Sequence, residues 1–192
     1  MLAAVADGTA EDVEAAIAAA RAGFETWRRV APLERARLLR RVATILREHA
    51  GELAMIDAAD CGNPVKEMVG DAMVAAAQME FFAGFVTEMK GASIPMGPDA
   101  VNFSVREPLG VVGRIIPFNH PFMFCAGKSA APLAAGNTVD RQAAGAGAAV
   151  VAASCRAARR RAAARRLQRR AGGGAEVGAA LACASRRWPR WR

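Results

Sequence analysis

Apolar residues recur at helical spacing through the first half of the chain, and the spacing turns strand-like near residue 100. Thr9-Ala10-Glu11-Asp12 reads as a helix start, because a threonine cap and an acidic first turn satisfy free N–H groups and complement the helix dipole. Val13, Ile17, Ala20 and Phe24 follow three or four residues apart, which predicts one buried face ending near Trp27. Pro32 opens a second helix at its first turn, where a missing N–H does little harm. Its predicted stripe is Leu38, Leu39, Val42, Ile45, Leu46, Leu53 and Ile56, with arginines opposite, and Gly62-Asn63-Pro64 stops it. A third helix is expected from about Val65 to Met89, with Met68, Met73, Met79, Phe81, Phe82 and Phe85 as its core stripe.

Gly91 to Pro98 is turn-rich, and Val101, Phe103 and Val105 then alternate with polar residues as in a half-buried strand. Gly110 to Ile116 is short and nearly all apolar, which suits a strand buried on both faces. Pro117 ends it, and Pro121 starts a helix running to about Ala135. Asn137-Thr138-Val139 opens a second parallel strand. The succession is one βα unit of a doubly wound sheet.

Charge divides the chain at that point. Residues 1–139 carry 13 basic and 16 acidic side chains. Residues 140–192 carry 13 arginines, no lysine, and only Asp140 and Glu176 as acids, so the whole net charge of +8 comes from the tail. Cys61, Cys125, Cys155 and Cys183 are far apart and lack nearby histidines, which argues against a zinc site or a disulfide framework. No apolar run of spanning length stands out and no basic, then apolar, leader opens the chain, so a soluble cytoplasmic protein without a membrane partner is expected.

The stretch EPLGVVGRIIPFNHPFMFCAGKSAAPLAAGNTV, Glu107 to Val139, carries the chemistry. Taken alone, Asn119 among aromatic and proline neighbours is a turn residue, and Lys128 on the following helix is a solvated side chain. The whole stretch closely resembles the core signature of the NAD(P)-dependent aldehyde dehydrogenase superfamily. Upstream, ADGTAEDVEAAIAAARAGFETW and PLERARLLRRVATILREHAGELA are similar to that family's first helices, in the same order and spacing. The resemblance covers residues 3–139, without the strands that usually precede it, so a fragment at both ends is expected.

The resemblance implies an α/β fold: long helices and then an incomplete doubly wound, Rossmann-like coenzyme domain, together a partial N-terminal and coenzyme-binding domain over residues 1–139. It implies oxidation of an aldehyde to a carboxylic acid through a cysteine thioester, with NAD or NADP as coenzyme, in a family whose members usually form homo-oligomers. By resemblance Asn119 would donate its side-chain N–H to the oxyanion formed when a thiolate attacks the aldehyde. Ile115, Ile116, Pro117, Phe118 and Asn119 would line the coenzyme channel, with Phe118 in place of a more usual tryptophan. His120, where a larger apolar residue is more usual, is expected to be a supporting or surface histidine. The family's nucleophilic cysteine and general-base glutamate have no counterpart, so this chain is expected to be inactive.

In the family GNTV runs into a lysine-proline-x-glutamate segment that holds the coenzyme ribose. Here it runs into Asp140-Arg141-Gln142. Codon degeneracy lets VDRQAAGAGAA, read one base out of frame from Val139, become VIVKPPEQAPL. The same shift lets RRLQRRAG, Arg165 to Gly172, become GVFNVVPG, another family-like segment. Residues 140–192 are therefore expected to be a frameshifted, disordered or irregular Arg/Ala-rich tail without a folded domain. Two other classes compete: a nucleic-acid-binding tail, disfavoured because no aromatic residue interleaves its arginines before Trp188, and a helical module that docks onto intact family members.

Overall fold

The computed structural model describes residues 8–143, 167–171 and 179–184. Helix α1 (Ala10–Trp27) starts on a capping box: the Asp12 N–H donates to Thr9 Oγ1 at 3.3 Å, and the Thr9 N–H donates to the Asp12 carboxylate at 2.9 Å. Val13, Ala16, Ile17, Ala20 and Trp27 form its buried face. The predicted second helix is in fact two, α2 (Pro32–Glu48) and α3 (Ala50–Cys61), with a break at His49 (φ −104°, ψ 12°). Backbone bonds still step across the bend, from the His49 N–H to the Ile45 carbonyl and from the Leu53 N–H to the His49 carbonyl. The apolar period therefore runs through the break, which is why the pattern hides it.

Helix α4 (Val65–Gly84), extended by a 3-10 turn over Phe85–Thr87, packs on α2 and α3. Its core face is Met68, Ala72, Ala75, Ala76, Met79 and Ala83. That corrects the expected methionine-aromatic stripe: Met73, Phe81 and Phe85 are exposed, and Phe82 is half-buried. Alanines let the neighbouring helices approach closely, and the bulkier residues collect on the outer face, where the Phe81 ring lies 5.1 Å from Phe82 and 5.2 Å from Phe85. Val65–Thr87 is also long and apolar enough to cross a membrane by length and composition, a span not anticipated above. Here its alanine face is packed against other helices.

Strands β1 (Ser93–Pro95) and β2 (Val101–Phe103) form an antiparallel pair, Ser93 opposite Phe103. The half-buried strand expected at 101–105 is exposed throughout, Val101 at 85% and Phe103 at 65%, and β1 lies in what reads as a turn-rich connection. The main sheet is parallel, in the order β3 (Val111–Ile116), β4 (Thr138–Ala143), β5 (Leu167–Ala171). Among the described residues β3 is an edge strand, so only Val111 and Ile116 are buried and Ile115 is 55% exposed; the expectation of burial on both faces is corrected. The predicted single helix after Pro121 is α5 (Pro121–Gly127) and α6 (Ala130–Ala134), separated at Ser129, whose hydroxyl donates to the Cys125 carbonyl at 2.6 Å. A short helix, α7 (Ala179–Ala184), places Leu181 against Val13 and Ile17 of α1.

The turn into β4 is clamped from the far end of the chain. Trp27 Nε1 donates to the Leu133 carbonyl at 3.1 Å and Arg35 Nε to the Ala134 carbonyl at 3.0 Å. Thr138 Oγ1 donates to the Ala20 carbonyl at 3.0 Å. Arg35 is buried on α2, not on the outer face expected for its arginines, and burial pulls its pKa down. Gly136 turns the chain at φ +87°, a conformation that favours glycine.

Candidate functional site

Parallel sheets gather ligands at the carboxyl ends of their strands, and the Pro117–His120 loop lies there, between β3 and α5. Ile116 is buried as the strand's last anchor, while Ile115, Pro117, Phe118 and Asn119 are exposed, Phe118 at 66%. Ile115 and Phe118 thus present an apolar wall beside an exposed amide. Lys128, at the end of α5, is exposed.

Behind the loop stand side chains from α3, α4 and the turn between them. Asn63 Nδ2 donates to the Asn119 carbonyl at 2.7 Å. The His120 Nδ1–H donates to the Asp71 carboxylate at 2.7 Å. His120 is therefore a supporting group tied to α4, half-buried against Phe124. Asp57 is fully buried on α3, and burial pushes its carboxyl up to about 6. The Cys61 thiol and the Phe122 N–H face that carboxyl and pull the other way, but neither closes a hydrogen bond of ordinary geometry. Asn63, Asp57 and Asp71 escape a sequence reading because they lie far upstream of the loop, Asn63 56 positions and Asp71 49 positions from their partners. Gly127 lies on the same seam: a Cβ there would displace the flexible end of Gln78 and sit in ordinary contact, 3.4 Å, with the Ala75 Cα, so α5 runs close against α4.

The model of the aldehyde dehydrogenase family matches residues 1–186. The chain belongs to the aldehyde dehydrogenase family. The match passes Val139, where the resemblance read from the sequence stops. The chain is 44% identical over 139 residues to the aldehyde dehydrogenase tropH of Talaromyces stipitatus, which covers 70% of this chain and 27% of that protein. It is 40% identical over 136 residues to the fluoroacetaldehyde dehydrogenase of Streptantibioticus cattleyicolor, again 70% of this chain and 27% of the relative. The NAD+ complex of the aldehyde dehydrogenase from Bacillus cereus superposes with a TM-score of 0.87 at 32% identity, over 92% of this chain and 37% of that one. The aldehyde dehydrogenase chain described here thus spans about a quarter of the curated relatives' length and under two fifths of that solved structure.

Aldehyde dehydrogenase chemistry needs a reactive thiol and a coenzyme seat. Cys125 is fully buried on α5, with Arg141 Nη1 2.9 Å from its sulfur. Cys61 ends α3, where burial and then the nearby Asp57 and Asp60 push its thiol up to about 12, far from a nucleophilic thiolate. Cys183 is exposed on α7, and Cys155 lies outside the described residues. For the coenzyme, Ile115 and Phe118 offer exposed apolar surface against which a flat ring could rest. The end of β4 does not fit: Gln142 and Ala143 stand opposite Ile115 and Ile116, with neither lysine nor glutamate among them to take a ribose hydroxyl.

Proposed function

We propose that residues 1–139 are the helical and first-strand lobe of an NAD(P)-dependent aldehyde dehydrogenase, and that residues 140–192 continue it in a shifted reading frame. The observation that carries this is a coincidence of two places. The family-like segments found by shifting the frame begin at Val139 and Arg165, and the parallel strands β4 and β5 occupy Thr138–Ala143 and Leu167–Ala171. In β4 the shifted frame puts isoleucine and valine where Asp140 and Arg141 are buried, and apolar residues are what the middle strand of a parallel sheet calls for. Resequencing the gene across codons 135–192 tests this. A single-base change near codon 140 that opens a frame leading to a catalytic cysteine and glutamate supports it; an unbroken frame as written, with the same tail in the isolated protein, refutes it.

In this reading Asn119 is the oxyanion donor and Ile115 to Asn119 form the coenzyme wall, but the chain itself turns nothing over. Its described thiols are buried, held protonated or remote in sequence from the loop. NAD- or NADP-dependent oxidation of an aldehyde panel by the purified chain, above a blank, would overturn that. A homo-oligomeric, cytoplasmic parent enzyme belongs to the same reading. Docking onto an intact relative is favoured by one separate observation: Ile94, Val101, Phe103 and Val105 are exposed together around a two-stranded sheet, which is marginal alone. Co-purification with a full-length relative tests it.

A further inference from the structure

We propose that Asn63, Asp71 and Asp57 are positioning residues that fix the loop carrying Asn119, each meeting a different part of the segment from residue 119 to residue 122. The inference deepens the oxyanion-donor reading and rests on it for its catalytic meaning, while the grip itself is a matter of geometry. Asn63 takes the Asn119 backbone carbonyl at 2.7 Å, so the Asn119 side chain stays free to point elsewhere. Asp71, with a side chain only 13% exposed, takes the His120 ring at 2.7 Å. Asp57, 0% exposed, faces the N–H of Phe122, whose ring is also 0% exposed in the core. That N–H belongs to the first turn of α5, where no carbonyl of the helix can accept it. The carboxyl lies beside that amide without closing a hydrogen bond of ordinary geometry, so ionisation is the event that would draw the two together.

Asp57 adds a signature that simple packing lacks. The groups facing it are Cys61 and Asp60 from α3, Asp71 from α4, and the Phe122 N–H from α5. Burial pushes its carboxyl up to about 6. As pH rises through that value the ionised carboxylate becomes a stronger acceptor for the Phe122 N–H and tightens the loop. The same ionisation puts a charge in the core and lowers global stability. Local order and global stability therefore move in opposite directions over one pH window.

The test is hydrogen–deuterium exchange on the full 192-residue chain, comparing the amides of residues 118–120 and 122 with those of α2, alongside urea unfolding at each pH. Asn63→Ala and Asp71→Ala are each expected to speed exchange in 118–122 by about tenfold, the loss of one hydrogen bond to a well-held group, with α2 changed far less. Equal loosening of α2, or no change in the loop, overturns the proposal. In the unmutated chain the protection of Phe122 should rise between about pH 5 and 7 while the urea midpoint falls, and the near-isosteric Asp57→Asn should remove both trends. A Phe122 profile that Asp57→Asn leaves unchanged also overturns it. Exchange is blind to what the Asn119 side chain does. A failure of the oxyanion reading would appear only in turnover, as an Asn119→Ala change without effect in a chain whose frame has been restored.

Discussion

In α4 the buried face is Met68, Ala72, Ala75, Ala76, Met79 and Ala83, while in β4 the buried run is Thr138, Val139, Asp140, Arg141 and Gln142. The helix buries one face against its neighbours, and the strand is paired on both sides. The helix fills its space with small apolar groups at the period of its backbone. The strand fills the middle of a parallel sheet with an acid, a guanidinium and an amide, whose desolvation must be offset by polar neighbours. Arg141, for instance, reaches the Cys125 carbonyl and sulfur. Local choice and global position agree in the first region and conflict in the second, and such conflict weakens the energy gap that makes one fold dominant.

The contrast can be broken from its strong side. Phe122→Ala removes a fully buried ring where α5 meets the helical layer and should lose about 3–5 kcal/mol, read as a lower urea midpoint. It can be sharpened from its weak side. Asp140→Ile with Arg141→Val, the residues of the shifted frame, should gain about 1–4 kcal/mol by replacing buried charges with apolar groups. A loss there would mean that the polar strand is well satisfied as it stands.

Asp57 is the helical region's own exception. Its folded pKa, about 6, lies above the ordinary 3.8, so the folded state holds the proton more tightly. The stability it contributes is complete below about pH 4 and is lost as pH rises through about 6. Asp57→Asn should therefore raise stability at pH 7 by about 1–3 kcal/mol and flatten that part of the urea-midpoint profile. The smallest expected effect is at the periphery: Thr9→Ala removes the cap of α1 and should lose about 1 kcal/mol, with helix signal lost first from the amino end.

Thr9, Pro32 and Pro121 were legible as helix starts, because capping and proline act within one turn. The order of helices before a parallel βα unit was legible from period and spacing, and the Asn119 loop from its motif. The bend at His49 was not, since the apolar period passes through it. Nor was the inversion on α4: sequence pattern weighs Met73, Phe81 and Phe85 as core, whereas close helix approach selects the alanines. Arg35 read as a surface cation because its partners, the Val30 and Ala134 carbonyls, include one on a distant turn. The supports of the Asn119 loop were hidden for the same reason. Residues that act across the fold carry no local signature.

The three bonds that clamp the turn into β4 join residues 99, 106 and 118 positions apart. A ribosome adds roughly 5–20 residues each second, so Trp27 and Arg35 leave it some 5–20 s before their acceptors exist. Throughout that interval the inner face of α1 lacks the strand β4 that covers it in the finished fold, whereas α2 already has α4 to pack on. The last of the three partners, Thr138, is made two residues before Asp140. The nascent chain thus covers α1 at almost the moment its strand turns polar, and any folding helper that shields that face must let go within the same few residues of synthesis.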